Sequence, residues 1–187
     1  MAIKVEEKYD RCYELASKGD FEGGVKYASD ALKEFPNDAV FWCYKGMFSI
    51  ALGKFKDALE CLDNAIKINS NYWLPYTERG IALIALGKLD EAIESLRKST
   101  LKKKDVAKTW FYLGFAYALK KNEKKSNFYL QKALELSPEI TVFLYENLAK
   151  GAMSTAELPQ TEIVRMHKMI SDMKKQLSLL KKKEGKK

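Results

Sequence analysis

Apolar residues recur along most of the chain at three- and four-residue intervals, in runs that stop at short polar or glycine-containing breaks. The pair VFWCYKGMFSIAL and FKDALECLDNAIKI is representative. Its spacing predicts two amphipathic helices of about 14 residues joined by a tight turn. The pattern then returns at a fixed interval of 34: Gly46, Gly80 and Gly114; Ala58, Ala92 and Ser126; Leu62, Leu96 and Leu130; Ala65, Ser99 and Ala133. One interval earlier stand Cys12, Gly24, Ala28 and Ala31, a variant still built of small residues. Four units follow, 5–38, 39–72, 73–106 and 107–140, each a helix hairpin that buries its apolar face by stacking on its neighbours.

The breaks carry turn chemistry. Gly19, Gly53 and Gly87 fall just past the first helix of their units, where a left-handed cap residue is wanted. In the fourth unit Lys121-Asn122 replaces that glycine, and Asn122 is expected to be the left-handed residue. Ser137-Pro138-Glu139 reads as an N-cap followed by proline at the first helical position. Pro75 falls in the first turn of its helix, where the missing N–H costs little. The recurrent glycines are expected where helix axes approach closely.

Trp42, Gly46, Ala58, Leu62 and Ala65, with their counterparts one and two intervals on, resemble the tetratricopeptide repeat signature. The resemblance covers residues 5–140; Cys12, Gly24, Ser70, Lys104 and Lys121 depart from it. It implies an all-α fold, a right-handed α-solenoid of four helix-turn-helix repeats plus C-terminal capping helices. The concave face of such a solenoid is lined by the first helix of each unit. Carried over by position, that face takes Glu6, Tyr9 and Tyr13, then Val40, Cys43, Tyr44, Met47 and Ile50. Leu74, Thr77, Glu78, Ile81 and Ile84 follow, then Lys108, Phe111, Tyr112 and Phe115. Such an apolar, aromatic-rich groove suits an amphipathic helix or an extended apolar peptide of a protein partner. Some relatives of this fold hold a chaperone's terminal carboxylate in a clamp of lysines, asparagines and an arginine. Here those positions hold Tyr9, Tyr13, Tyr44, Leu74 and Glu78, or, one unit later, Cys43, Met47, Glu78, Lys108 and Tyr112, so that ligand is disfavoured.

After residue 140 the pattern changes. A capping helix is expected over 141–153, then a break, then a long amphipathic helix over 159–183 and a basic tail at 184–187. In the long helix Ile163, Met166, Ile170, Met173, Leu177 and Leu180 alternate by three and four, forming a heptad seam. That seam could cap the solenoid, fill the groove or pair two chains.

Charge modifies this picture only at the edges. The 187 residues carry a net charge of +8. Residues 141–187 hold ten Lys/Arg against five Asp/Glu, hence +5 of it. The runs Leu101-Lys102-Lys103-Lys104 and Lys120-Lys121-Asn122-Glu123-Lys124-Lys125 could form a basic edge, although cations near helix C-termini also complement the dipole. A binder of nucleic acid or anionic surfaces, and a structural homodimer through the C-terminal helix, are therefore the alternatives to a groove-binding adaptor. Nucleic acid is the disfavoured partner of these, and no membrane-spanning or signal segment is read.

Catalytic and metal chemistry find no support. His167 has no partner implied by the sequence, and no phosphate-binding glycine loop occurs. Cys12, Cys43 and Cys61 have neither CxxC spacing nor nearby histidines, so they read as core residues of a reducing compartment. The expectation is a non-enzymatic, cytoplasmic protein-protein interaction scaffold without cofactor or metal.

Overall fold

The computed structural model describes residues 2–155 together with 168, 171, 172, 174, 175 and 178. Among them are helices α1 (Ala2–Lys18), α2 (Phe21–Glu34), α3 (Ala39–Ala51), α4 (Phe55–Ile68), α5 (Trp73–Ala85), α6 (Leu89–Lys102), α7 (Ala107–Leu119), α8 (Glu123–Leu136) and α9 (Pro138–Thr155). No strand occurs among the described residues. α2, α4, α6 and α8 begin at 21, 55, 89 and 123, and α3, α5 and α7 at 39, 73 and 107, so helix starts repeat every 34 residues.

Two compact units are present, Met1–Lys104 with Leu119–Lys121, and Asp105–Ala118 with Asn122–Lys187. In the first, α1 packs on α2, α3 on α4 and α5 on α6, while α2 packs on α3 and α4 on α5. The first helices also touch in sequence, α1 on α3 and α3 on α5. Among the described residues α2, α4 and α6 make no such contact with one another, so α1, α3 and α5 share one continuous face.

Each hairpin closes on a small residue. A Cβ built on Gly46 would stand 2.7 Å from Leu62 Cγ, one on Gly80 2.5 Å from Leu96 Cγ, and one on Gly114 2.7 Å from Leu130 Cγ. The leucine of the second helix thus lies on the glycine of the first within the same hairpin. Leu62 and Leu96 are fully buried, and each contributes about 1.5–3 kcal/mol by leaving water. The departures in the first hairpin compensate in size. Cys12 replaces the glycine where Ala28 replaces the leucine, and both are fully buried. Gly24 leaves room for the Phe48 ring, which would lie 2.6 Å from a Cβ there. One repeat later the corresponding pair is Ala58 and Ala82, both fully buried.

The turns after the first helices use left-handed residues: Gly19, Gly53 and Gly87 have φ of 72°. In the fourth turn the left-handed residue is Lys121, at φ 57°, and not Asn122 as expected. Asn122 is committed elsewhere. It is the N-cap of α8, and its side chain accepts from the Lys125 N–H at 3.1 Å.

In the second unit Trp110 and Tyr117 of α7 both stack on Tyr129 of α8, at 5.8 and 5.5 Å between centroids. α9 begins at Pro138, with Ser137 Oγ accepting from the Ile140 N–H at 3.3 Å. It spans Pro138–Thr155, where a cap was expected over 141–153. Its Val142, Leu144 and Tyr145 join Phe111, Leu130 and Ala133 in one core. The seam positions Ile163, Met166, Ile170, Met173, Leu177 and Leu180, and the tail at 184–187, lie outside the described residues.

Candidate functional site

The first unit presents its first-helix face through α1, α3 and α5. On α1, the Tyr9 hydroxyl donates to Asp38 Oδ2 at 2.5 Å, and its ring lies 4.9 Å from that of Phe41. Asp38 is also the N-cap of α3, where Oδ1 accepts from the Val40 and Phe41 N–H groups at 2.8 and 3.1 Å. One carboxylate therefore ties α1 to the start of α3. Burial, and then the hydrogen bond to Asp38, push the Tyr9 phenol well above its ordinary range, so it stays a neutral donor. One turn further, Tyr13 is 69% exposed.

On α3 and α5 the residues expected to line the face separate into two sets. Cys43 is 1% exposed and packs among Ala39, Ala58, Leu62, Ala65 and Ala82. Thr77 is 0% exposed; its hydroxyl shares a hydrogen bond with that of Ser99 at 2.7 Å, and Ser99 Oγ also lies 3.0 Å from the Trp73 carbonyl, to which it donates. These two side chains are core and do not line an open surface. Tyr44, Met47, Ile50, Ile81 and Ile84 are half-buried. Tyr44 stacks on Phe48 at 6.1 Å, and Met47 and Ile50 rest on the core around Cys43. The open part of the face on α3 and α5 is therefore aliphatic and thioether surface flanked by tyrosine. Glu78 is buried, at 3% exposure.

In the second unit Phe111 corrects the expectation in the same way. It is fully buried, with the Tyr145 ring edge-on at 4.9 Å and Val142 beside it, so α9 covers it. Tyr112 meets the Phe111 ring edge-on at 5.3 Å, and Phe115 lies parallel to it at 6.5 Å. Lys108, Tyr112 and Phe115 are half-buried.

The remaining chemistry is that of a packed helical core. Burial pushes the Cys12 thiol up to about 11, and burial also raises the Cys61 thiol, which keeps both neutral and poorly nucleophilic. Among the described residues no group of three or more His, Cys, Asp or Glu could hold a metal ion. No described helix is long and apolar enough to cross a membrane. His167 lies outside the described residues.

Two features escaped the sequence pattern. The Tyr9–Asp38 link joins residues 29 apart, and only the aspartate before an apolar run hinted at a cap. Each tryptophan also carries a lysine over its ring: Lys45 on Trp42, Lys103 on Trp73 and Lys132 on Trp110, at 5.4, 5.5 and 4.6 Å.

Models of the tetratricopeptide repeat match residues 39–72 and 75–101, and residues 107–140, together about half of the chain. No curated protein matches it. Among solved structures, the chain is similar to TTC0263, a thermophilic TPR protein in Thermus thermophilus, with 22% identity, 90% of each chain covered and a TM-score of 0.69. It is also similar to MamA, with 19% identity, 88% of this chain and 95% of that chain covered and a TM-score of 0.65. A third, MamA 41-end from Desulfovibrio magneticus RS-1, has 17% identity, coverage of 92% and 96% and a TM-score of 0.66. At these identities the likeness speaks to the fold alone. With the period, the hairpin packing and the matched repeats in agreement, the chain belongs to the tetratricopeptide repeat family.

Proposed function

We propose that this chain is a non-enzymatic adaptor that holds an amphipathic helix or extended apolar segment of a partner protein against α1, α3 and α5. Tetratricopeptide repeat proteins are protein-interaction scaffolds, which sets the class of function. The observation that carries the finer reading is the set of open positions Tyr13, Tyr44, Met47, Ile50, Ile81 and Ile84, none of them charged at neutral pH. Rigid tyrosines and adaptable methionine are suited to anchoring an apolar segment. Lys108, Tyr112 and Phe115 are the candidates on α7.

The heptad seam from Ile163 to Leu180 has matching chemistry: six apolar positions, two of them methionine. A seam of that kind competes with a partner for such a face, in its own chain or in a paired one. Removing residues 159–187 would then raise capture of partner and binding of an apolar dye, and light scattering of both forms would report whether the seam pairs two chains.

The test of the main reading is Met47→Asp in affinity capture from native extract. Loss of capture with unchanged far-ultraviolet circular dichroism is the expected result, and capture should change little with salt. Undiminished capture would place the partner site on another surface.

A further inference from the structure

The first unit has a second surface of different chemistry, where its second helices end. α4 stops at Ile68 and α6 at Lys102, equivalent positions 34 residues apart. Ile68 is 38% exposed and Leu101 77%, the highest value among the exposed large apolar side chains described. Lys67, Lys102, Lys103 and Lys104 flank them. The Lys102 ammonium sits 5.2 Å over the Tyr76 ring and that of Lys103 5.5 Å over Trp73. Both rings belong to the first turn of α5, which follows α4 after Asn69, Ser70, Asn71 and Tyr72, so these cations stand beside the end of α4.

Most of this positive charge lacks an acidic partner among the described residues. Among the described residues Lys67, Lys102 and Lys103 have no carboxylate partner, whereas at the end of α2 Lys33 pairs with Asp30 at 2.7 Å and Glu34 with Lys8. Lys104 has a contact of its own, and Asp105 follows it in the chain. Cations in a last helical turn complement the helix dipole. That accounts for Lys67 and Lys102 but leaves the exposure of Leu101 unexplained.

We propose that this edge docks the protein on an anionic lipid surface, with Leu101 entering the headgroup region and Lys67, Lys102 and Lys103 meeting the acidic headgroups. A protruding leucine needs a pocket in any protein partner, whereas a bilayer accepts it without one. Lysines keep their ammonium groups in the interface while their stems follow the apolar side chain, and tryptophan is at home at that depth. Single-stranded nucleic acid is the weaker match, because it stacks bases on open aromatic faces. The faces of Trp73 and Tyr76 already carry lysine ammoniums. One leucine with a basic cluster gives weak, reversible attachment that depends on lipid charge.

The experiment is co-sedimentation of the full chain with phosphatidylcholine vesicles, with and without phosphatidylserine. Binding is expected only with phosphatidylserine, falling as salt rises. Each lysine replaced should lower the partition by about fivefold, so Lys102→Ala with Lys103→Ala should lower it by about 10–30-fold. Leu101→Ser, which leaves the charge unchanged at a site too exposed to disturb folding, should also lower it several-fold. Alanine at Lys186 and Lys187 in the tail should leave most of the binding. Equal binding to both vesicle types would overturn the proposal. So would undiminished binding by the Leu101→Ser chain, which keeps the charge and would mark a purely electrostatic site for another polyanion, and so would loss confined to the tail variant.

Discussion

Two successive turns of the first helices behave differently. Residues 43, 77 and 111 occupy one repeat position on α3, α5 and α7, and residues 47, 81 and 115 lie one turn further along the same helices. The earlier set, Cys43, Thr77 and Phe111, is 1%, 0% and 0% exposed, while Met47, Ile81 and Phe115 are half-open. In the first repeat the contrast recurs in milder form: Tyr9 is half-buried and hydrogen-bonded, and Tyr13 is exposed. The earlier turn is held by neighbouring elements, with Ala82 of α5 against the Cys43 core, Ser99 of α6 on Thr77 and Tyr145 of α9 on Phe111. It holds a thiol, a hydroxyl or a phenyl ring according to what covers it. The difference teaches that one turn stacks the repeats while the next stays partly open.

The largest expected effect comes from exchanging the two turns' roles at α7. Phe111→Ala should destabilise by about 3–5 kcal/mol, since it empties a site enclosed by Leu130, Val142 and Tyr145. Phe115→Ala should cost about 1 kcal/mol or less. Chemical denaturation of both variants checks this, and similar midpoints would erase the distinction between the turns.

An intermediate effect is expected where the hairpin closes. Gly80→Leu should cost about 1–3 kcal/mol or more, because its Cβ would meet the fully buried Leu96 at 2.5 Å. Gly80→Cys combined with Leu96→Ala copies the Cys12–Ala28 pairing of the first hairpin. It should recover stability relative to Gly80→Cys alone, read as a positive coupling in a double-mutant cycle. Additive losses would mean that the first hairpin tolerates its exchange for some other reason.

The smallest effect belongs to the tie between α1 and α3. Tyr9→Phe should cost about 1 kcal/mol at neutral pH through the lost bond to Asp38. Because the folded state raises the Tyr9 pKa, its contribution is complete below the ordinary tyrosine value of about 10 and is lost as pH climbs above it. The variant should therefore lose stability less steeply than the parent in alkaline solution. Parallel pH profiles would remove the phenol from that role.

The fold was legible because one interval of 34 carries both the turn residues and the glycine–leucine pairs, and helix packing preserves that interval. The candidate binding face was legible only by helix. Cys43 and Met47, like Phe111 and Phe115, are apolar residues one turn apart on the same helix, so periodicity assigns both to a face, and only the packing of later elements decides which is covered. Lys121 took the left-handed conformation because the 34-residue register demands it there, whereas the choice of Asn122 rested on residue preference alone. The Asp38 tie depends on a tertiary approach of α1 to α3 that no local pattern encodes.

Thiol labelling tests most directly the claim that the two turns divide stacking from binding. The native chain holds three free cysteines, Cys12, Cys43 and Cys61, all buried. A Met47→Cys chain sets a thiol one turn from Cys43 on the open side of α3. In native buffer the account predicts slow labelling of the parent chain and rapid single labelling of the variant, slowed again by bound partner. Labelling of Cys43 as fast as that of the introduced thiol would contradict it.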